Sequence, residues 1–365
     1  MLDNILPLQA IIKERRLDGF IITNPVNIFY LTGFRGVSPT EREAILVIRN
    51  HKAYLVTAKL YQQEARKLTS PALKVKIATE RNQIFAFIQT ILKNAQKVGF
   101  EEQNLTVAEL SEFKKALPHT KLVPTKNFVE DLRVIKTADE ILCIEKAQII
   151  SQKAFEALVK TLKTGQTEAE IAEKLAKIIK SLGGQGLAFE SIVAAGSNAA
   201  KPHHITGLKR LATGDILLID FGAKYQNYCA DLTRTIFVGK VNTQKHKIYQ
   251  LVAAAQKAAI DSITHGIKAH EPHLKVYQMF KKERLHGHFW HGLGHGIGLE
   301  VHEGPHLRPA FVKNTEEILK EGMVFSVEPG LYFPSWGGVR IEDLVIIKNG
   351  KAKVLGHLLQ DLIVV

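Results

Sequence analysis

The chain carries only two cysteines, Cys143 and Cys229, in 365 residues. They lie far apart, so no disulfide framework is implied and a reducing compartment fits. No stretch approaches the roughly 18 apolar residues that a membrane span needs. The start, MLDNILPLQAIIKERR, lacks the basic-then-apolar order of a signal peptide. These absences lead to the expectation of a cytoplasmic protein with no membrane partner. RNA-binding signatures, zinc-finger spacings and arginine-rich runs are missing too. The formal net charge of +13 therefore reads as a solvated basic surface, with lysines scattered along stretches such as EKLAKIIK, and not as a nucleic-acid site.

What is present fits a folded enzyme-sized chain. Hydrophobic residues make up 45% and charged residues 23%, ordinary values for a globular protein. The length exceeds what one core usually serves, which gives two domains. Residues 1–125 alternate helix-like stretches (LQAIIKERR, KLYQQEARKL, RNQIFAFIQTILKNA) with strand-like ones (GFIITN, AILVIRN, AYLVT, KVGFEE), an α/β pattern. LPHTKLVPTKNF has two prolines and no strong period, so a boundary falls near 118–128. Beyond it, TADEILCIEKAQIISQKAFEALVKTL is a long amphipathic helix capped by Thr137 or Asp139 and stopped at Gly165. TEAEIAEKLAKIIKSLGG is a second helix. Strands ESIVAAG, DILLIDFGAKY and YCADLTRTIFVG follow, then the helix HKIYQLVAAAQKAAIDSITHG, then strands again. The region thus reads as two helix-then-hairpin halves with slight sequence likeness.

Carboxylates sit where strands should not have them. In DILLIDFGAKYQNYCADLTRTIFVG, a turn centred between Tyr225 and Gln226 pairs Asp220 with Asp231. Like charges in that position are destabilising, and aspartate is a poor strand residue. Either solvent exposure or a cation must offset the repulsion, and the apolar run ILLID, which argues for a buried strand, favours the cation. In VFSVEPGLYFPSWGGVRIEDLVII, a five-residue loop from Phe333 to Gly337 pairs Glu328 with Glu342 and puts Arg340 on the same strand face as Glu342. Pro329 marks an edge or bulge there. Four carboxylates balance two divalent cations. A carboxylate–imidazole set suits manganese, cobalt, iron or zinc in an open catalytic site. Two such ions close together clamp a substrate and activate a bridging water.

At least one imidazole should join them. HGLGHGIGLEVHE, residues 291–303, supplies His291, His295 and His302. The His291–His295 spacing suggests a helical zinc pair, but Gly292, Gly294, Gly296 and Gly298 interrupt, and each interior glycine costs a helix roughly 1 kcal/mol against alanine. No glutamate follows His291, so HExxH is absent. A loop entering a strand fits better, with glycines letting the backbone approach a metal or substrate. His203 and His204, in the loop AAGSNAAKPHHITG, are further candidates. The histidines of HGIKAHEPH and LHGHF have no carboxylate register around them and read as exposed.

Together these pieces resemble the pita-bread metallopeptidase family, in its proline-specific branch of aminopeptidase P and prolidase. The likeness runs through SIVAAGSNAAKPHH, GDILLIDFGAKYQNYCADLTRT, GLGHGIGLEVHEGP, GMVFSVEPGLY and GGVRIEDLVII in that order. LDGFIITNPVNIFYLTGF resembles the creatinase-type domain that precedes the catalytic one in this branch and that methionine aminopeptidases usually lack. The resemblance implies a creatinase-like α/β domain over 1–125 and an α+β pita-bread catalytic domain over 126–365. It implies that Asp220, Asp231, His295, Glu328 and Glu342 hold two divalent metals, manganese first, with cobalt, iron or zinc also accepted. Asp231 and Glu342 would bridge the ions, Asp220 would hold one, and His295 and Glu328 the other. Creatinase shares the fold without these ligands, so the full set favours a hydrolase over a non-catalytic peptide-binding module.

The resemblance further assigns His203, His291 and His302 to the substrate, with His203 and His302 steadying the scissile carbonyl. Glu328 would relay a proton to the leaving proline nitrogen, and Arg340 would orient a ligand carboxylate. The implied activity is exopeptidase cleavage of the Xaa–Pro bond at peptide N-termini, an Xaa-Pro aminopeptidase, with an Xaa-Pro dipeptidase as the alternative. The substrate is a peptide or dipeptide with proline second, and the chain is expected to form a homodimer. His306 and Arg308 follow HEGP, and a cation there, Arg308 first, would bind the free carboxylate of a dipeptide. Two departures stand out: TAKLY where family members carry TD-x-RY, and LGHLLQDLIVV without the usual LT.

Overall fold

In a computed structural model, residues 4–35, 42–68, 70–309, 317–356 and 362–365 are described. The chain divides into two compact units between Arg133 and Val134. No helix among the described residues is long and apolar enough to cross a membrane. Residues 357–361 of LGHLLQDLIVV lie outside the described set.

The first unit is built on a six-stranded sheet. Its strands are β1 (Gly19–Ile22), β2 (Ala44–Arg49), β3 (Lys52–Ala58), β4 (Leu73–Ala78), β5 (Lys97–Glu101) and β6 (Lys121–Thr125), in the order β4-β3-β2-β1-β5-β6. β1, β5 and β6 run parallel, as do β3 and β4, while β2 joins antiparallel on both sides. Helices α1 (Ile5–Glu14), α2 (Pro25–Thr32), α3 (Gln62–Lys67), α4 (Arg81–Ile91) and α5 (Val107–Ala116) fill the connections. All four residues of β1 are buried, as expected of a strand covered on both faces. β6 lies inside LPHTKLVPTKNF, the stretch read as lacking a period. Its Pro124 is tolerated because the strand is at the sheet edge. α2 was hidden in the apolar run; Pro25 sits in its first turn and Asn24 caps it by accepting from Val26 N at 2.9 Å. A short helix, α6 (Glu130–Val134), leads across the division point.

The second unit repeats one plan. Helices α7 (Ala138–Val159) and α8 (Glu168–Ser181) precede the first hairpin, and α9 (Thr243–Ser262) and α10 (His270–Lys282) precede the second. Thr137 caps α7 in a capping box with Glu140. The helix ends at Val159, short of Gly165, because Thr161 turns back on Leu158 O through both its backbone N–H and its hydroxyl.

Strands β7 (Gly186–Leu187), β8 (Ile192–Ala195), β9 (Ile216–Phe221), β10 (Ala223–Tyr225), β11 (Tyr228–Cys229) and β12 (Leu232–Phe237) belong to the first half. Strands β13 (Gly294–Gly296), β14 (Glu303–Leu307), β15 (Val324–Val327), β16 (Gly330–Phe333), β17 (Gly337–Arg340), β18 (Asp343–Lys348) and β19 (Lys351–Val354) belong to the second, and β20 (Ile363–Val364) returns beside β12. The main sheets run β20-β12-β9-β8 and β14-β13-β15-β18-β19. ILLID is continuously apolar because β9 is covered twice: Ile216 and Leu218 pack in one core, and Leu217, Ile219 and Phe221 in another.

The hairpin registers decide where the carboxylates go. β9 and β12 pair Asp220 with Thr233, and β10 and β11 pair Tyr225 with Tyr228. The turn is therefore Gln226–Asn227, both at positive φ (47° and 71°), the geometry of a two-residue turn whose twist matches the strands. This corrects the expected pairing of Asp220 with Asp231: the turn is centred one residue later, so the two aspartates are diagonal neighbours. The second hairpin keeps its expected register. Gly330 pairs with Arg340, and Val327 with Asp343, which brackets Glu328 and Glu342 as opposite residues. Phe333 and Gly337 are themselves paired, so the loop is Pro334–Trp336 and tighter than expected.

Candidate metal centre

Each of the four carboxylates stands at or next to a break in a strand. Asp220 is the penultimate residue of β9, and Asp231 falls between β11 and β12. Glu328 and Pro329 separate β15 from β16, and Ile341 and Glu342 separate β17 from β18. With the ladder interrupted, Glu342 N donates to Thr233 O of the other hairpin at 3.1 Å. Further bonds join the two hairpins. Thr233 Oγ1 donates to Glu342 Oε2 at 2.6 Å, Thr235 Oγ1 to Arg340 O at 2.8 Å, and Arg234 to Glu342 O and Asp343 Oδ1 at 2.6 and 2.7 Å. The Arg234–Asp343 pair is almost wholly buried.

Arg340 lies on the carboxylate side and holds Asp220 Oδ2 at 2.5 Å. Its other nitrogens donate to Thr233 Oγ1, Tyr332 Oη and Pro202 O at 3.1, 2.9 and 3.4 Å. Tyr332 donates in turn to His291 Nε2 at 2.8 Å, and His291 Nδ1 donates to Gly292 O at 2.7 Å. Both ring nitrogens of His291 are thus engaged by the protein. Burial, with the nearby Arg340 charge, pushes its pKa down to about 3, so it is neutral.

His295 sits in β13, with no helix around it. Its Nδ1 contacts Gly296 O at 3.1 Å, which makes Nδ1 the protonated nitrogen and leaves the Nε2 lone pair facing Glu328 Oε1 at 3.4 Å and Asp231 Oδ2 at 3.7 Å. Burial lowers its pKa. One ligand atom each from Asp231, His295 and Glu342 lie within 4.8 Å of one another. The neighbouring glycines make room: a Cβ on Gly294 would overlap Ser326 O, and one on Gly296 would overlap Gly304 O. Ser326 Oγ accepts from His295 N and donates to Glu328 Oε1, both at 3.1 Å. The His302 ring lies 4.2 Å from that of His295, and burial together with that neighbour pushes its pKa down to about 4.

The electrostatics call for positive charge. Burial, and then mutual repulsion, raise Asp231 and Glu342 well above the carboxylate range. Glu328 is pushed up to about 7, by burial first and by Asp220 against the opposing pull of Arg340. Asp220 Oδ1 and Asp231 Oδ1 are buried and have no hydrogen-bond partner among the described residues. Buried carboxylate oxygens without a donor are costly, and a neutral imidazole lone pair aimed at two carboxylates adds repulsion. Divalent cations among these oxygens and His295 Nε2 would reverse every one of these penalties. The donor set of hard oxygens and one imidazole suits such ions.

The expected site residues come together. His203, Asp220, Asp231, His291, His295, His302, Arg308, Glu328, Arg340 and Glu342 all line one cavity of about 290 Å³. Three partners were not anticipated: Tyr332, Thr233 and Ser326. Tyr332 had a signal, since it shares the alternation of Glu328 and Gly330. The reading of HGIKAHEPH and LHGHF as exposed needs correction at four histidines. His270, His286 and His288 are half-buried, with His288 Nδ1 donating to Tyr332 O at 2.9 Å. His273 is buried and stacked on Phe289 at 5.0 Å. It lies on the packed face of α10, where its pKa is pushed down to about 4 by burial.

The model of metallopeptidase family M24 matches residues 142–349, more than half of the chain, and that of the creatinase/prolidase N-terminal domain matches residues 5–135. The chain belongs to metallopeptidase family M24. Its fold is a creatinase-type α/β domain followed by the pita-bread catalytic domain. This M24 chain is 36% identical over 355 residues to a protein named Xaa-Pro dipeptidase from Pyrococcus furiosus, a match covering 97% of this chain and 98% of that one. Among solved structures it resembles the Xaa-Pro dipeptidase from Bacillus anthracis (TM-score 0.93, 32% identity, 100% of this chain and 99% of that chain). It also resembles an X-Pro aminopeptidase from Thermotoga maritima (TM-score 0.87, 30% identity, 99% of each).

Proposed function

We propose that this metallopeptidase is an Xaa-Pro dipeptidase. The sequence motifs put an aminopeptidase first; the names of the Pyrococcus and Bacillus relatives favour the dipeptidase. The observation that carries the reading is that Arg308 and His306 line the same cavity as the four carboxylates. A substrate held in one such cavity both at its scissile bond and by its free carboxylate must be short. Arg308 is the cation for that carboxylate, to which a guanidinium is well matched.

Asp220, Asp231, His295, Glu328 and Glu342 are the residues that would hold two divalent ions, with manganese as the proposed metal. When bound, the ions supply Lewis acidity and a water nucleophile at neutral pH. The chain's own groups do the rest. Arg340 fixes Asp220, and Thr233 fixes Glu342. Glu328, oriented by Ser326, moves a proton to the leaving proline nitrogen. His203 and His302 aim donors at the carbonyl oxygen as it gains charge. His291 orders Tyr332, because its own nitrogens are taken.

The test compares Xaa-Pro with Xaa-Pro-Yaa hydrolysis, with and without added manganese. Hydrolysis of the dipeptide alone is expected; hydrolysis of the tripeptide alone would make the chain an aminopeptidase, like the Thermotoga relative. Arg308→Ala should lower dipeptide kcat/KM about tenfold, mainly through KM, and unchanged hydrolysis would remove Arg308 from the site.

A further inference from the structure

Glu168 reads from sequence as an ordinary acidic residue in the first turn of α8. Such residues are normally solvated and favoured there by the helix dipole. Here it is fully buried. A buried charge persists only where it is closely satisfied, and four donors satisfy this one. Oε1 accepts from Ala195 N and Asn198 Nδ2, both at 2.8 Å. Oε2 accepts from His204 Nε2 at 2.9 Å and Gly207 N at 3.1 Å. Although burial alone would raise its pKa, these bonds bring it below the usual carboxylate value.

The four donors are not scattered. They span residues 195–207, the end of β8 and the loop after it, and they bracket His203. That side chain lines the cavity but is solvent-exposed. Among the described residues, no hydrogen bond holds its ring. Its position depends on the backbone around it. On the inner side, Pro202 O accepts from Arg340 at 3.4 Å. On the outer side, Glu168 ties both arms of the loop to one carboxylate. Lys209 Nζ closes the base by donating to Ala195 O and Ser197 Oγ at 2.7 and 3.2 Å.

We infer that Glu168 is a positioning residue for the reaction: its carboxylate, through Ala195, Asn198, His204 and Gly207, holds the loop that presents His203 to the substrate carbonyl. The inference rests on the proposed role of His203. It makes His204 a link in the loop, with no contact to substrate. A donor displaced by about 1 Å loses on the order of a hundredfold in rate, so loop order matters although Glu168 lies outside the cavity.

The test uses the full chain loaded with manganese and two readouts. In Glu168→Gln, one oxygen is replaced by a donor that faces two donors, so amide hydrogen exchange across residues 195–207 should rise while metal content stays the same. The kcat on an Xaa-Pro dipeptide should fall at least about tenfold with KM little changed. Acting through His203, the substitution should add less than about twofold in a His203→Ala background, the non-additivity expected of coupled residues. His204→Ala should reproduce part of both effects. His204→Gln keeps an N–H donor and should restore them, and this pair decides the matter if Glu168→Gln does not fold. Equal losses in the wild-type and His203→Ala backgrounds, or unchanged exchange in both Glu168→Gln and His204→Ala, would overturn the inference. If the wild-type chain cleaves no Xaa-Pro dipeptide, the functional reading falls, while exchange across 195–207 still decides whether Glu168 orders the loop. If His203→Ala keeps full kcat, the role of His203 falls and the inference with it.

Discussion

Hairpin β9–β12 turns on two residues at positive φ, Gln226 and Asn227, whereas hairpin β15–β18 turns on three, Pro334–Trp336, closed by Gly337. The first places its two carboxylates diagonally, with Thr233 in the slot opposite Asp220. The second sets Glu328 and Glu342 opposite each other but interrupts the ladder there, at Pro329. In neither does a regular ladder force two carboxylates face to face. One hairpin offsets its pair by register and the other interrupts its ladder at the pair, yet within each the two carboxylates still repel. The backbone donor freed in the second, Glu342 N, is used by the first, at Thr233 O. Two local solutions thus converge on one cluster of charge.

The sharpest way to break the comparison is to neutralise one central carboxylate from each hairpin. Asp231→Asn and Glu342→Gln should each strip bound metal and lower kcat/KM by more than the roughly hundredfold that loss of a ligand's supporting partner costs. Metal analysis and dipeptide hydrolysis check this. Near-equal losses are expected, and full metal content in either variant would mean that the two hairpins do not share the ions.

A second prediction concerns protons. In the metal-free protein Glu328 is pushed up to about 7, and Asp231 and Glu342 are raised well above the carboxylate range. Metal must displace those protons, so apparent affinity should fall steadily as pH drops from about 8 towards 5. The metal-free fold binds these protons more tightly than the unfolded chain. The stability these three carboxylates contribute is therefore fully present at low pH and lost as pH rises from the ordinary carboxylate range through about 7, while His273, His291, His295 and His302, whose pKa values are lowered, contribute in the opposite sense. Calorimetric titration in buffers of different ionisation enthalpy measures the proton release. Thermal unfolding of the metal-free wild type and Glu328→Gln at several pH values isolates the Glu328 part, and a wild type that gains stability relative to the variant over that rise would contradict the shift.

The smallest effects separate the turns. Gly337 has φ 139°, and a Cβ there would lie 2.6 Å from Ile216 Cγ2 and 2.7 Å from Gly196 O. Gly337→Ala should destabilise by about 1–3 kcal/mol. Asn227→Gly, at φ 71°, should be neutral or stabilising by up to roughly 1 kcal/mol, because glycine takes that conformation without strain. Thermal melts of the metal-loaded protein decide both. A stabilising Gly337→Ala would show that the second turn has room that the geometry denies.

Much of this was legible in the sequence because burial and charge conflict there. Aspartate after ILLI, and glutamate within an apolar strand, ask for a cation without any knowledge of the fold. The second hairpin's register followed from its loop. The first did not, because Gln-Asn is not the Asn-Gly or Asp-Gly signal of a two-residue turn, and Tyr225 fits either side of it. Thr233 and Ser326 were not legible because their importance lies in what they bond across the fold, and their residue types are common in strands; Tyr332 was legible only through its alternation with Glu328 and Gly330. Glu168 looked like an ordinary acidic residue in the first turn of α8 because its importance, too, lies in what it bonds across the fold. His273 was misread because the helical phase of α10 turns it inward, which a search for carboxylate neighbours does not reveal.

The bonds between the hairpins carry one last implication. The buried Arg234–Asp343 pair and the Thr233 and Thr235 hydroxyls belong to a seam, so the metal-binding cluster is a property of that seam and not of either half. Transplanting one hairpin onto another scaffold would carry away two carboxylates whose partners stayed behind. Duplication of a helix-and-hairpin half could create such a centre only once the two copies had ceased to be interchangeable.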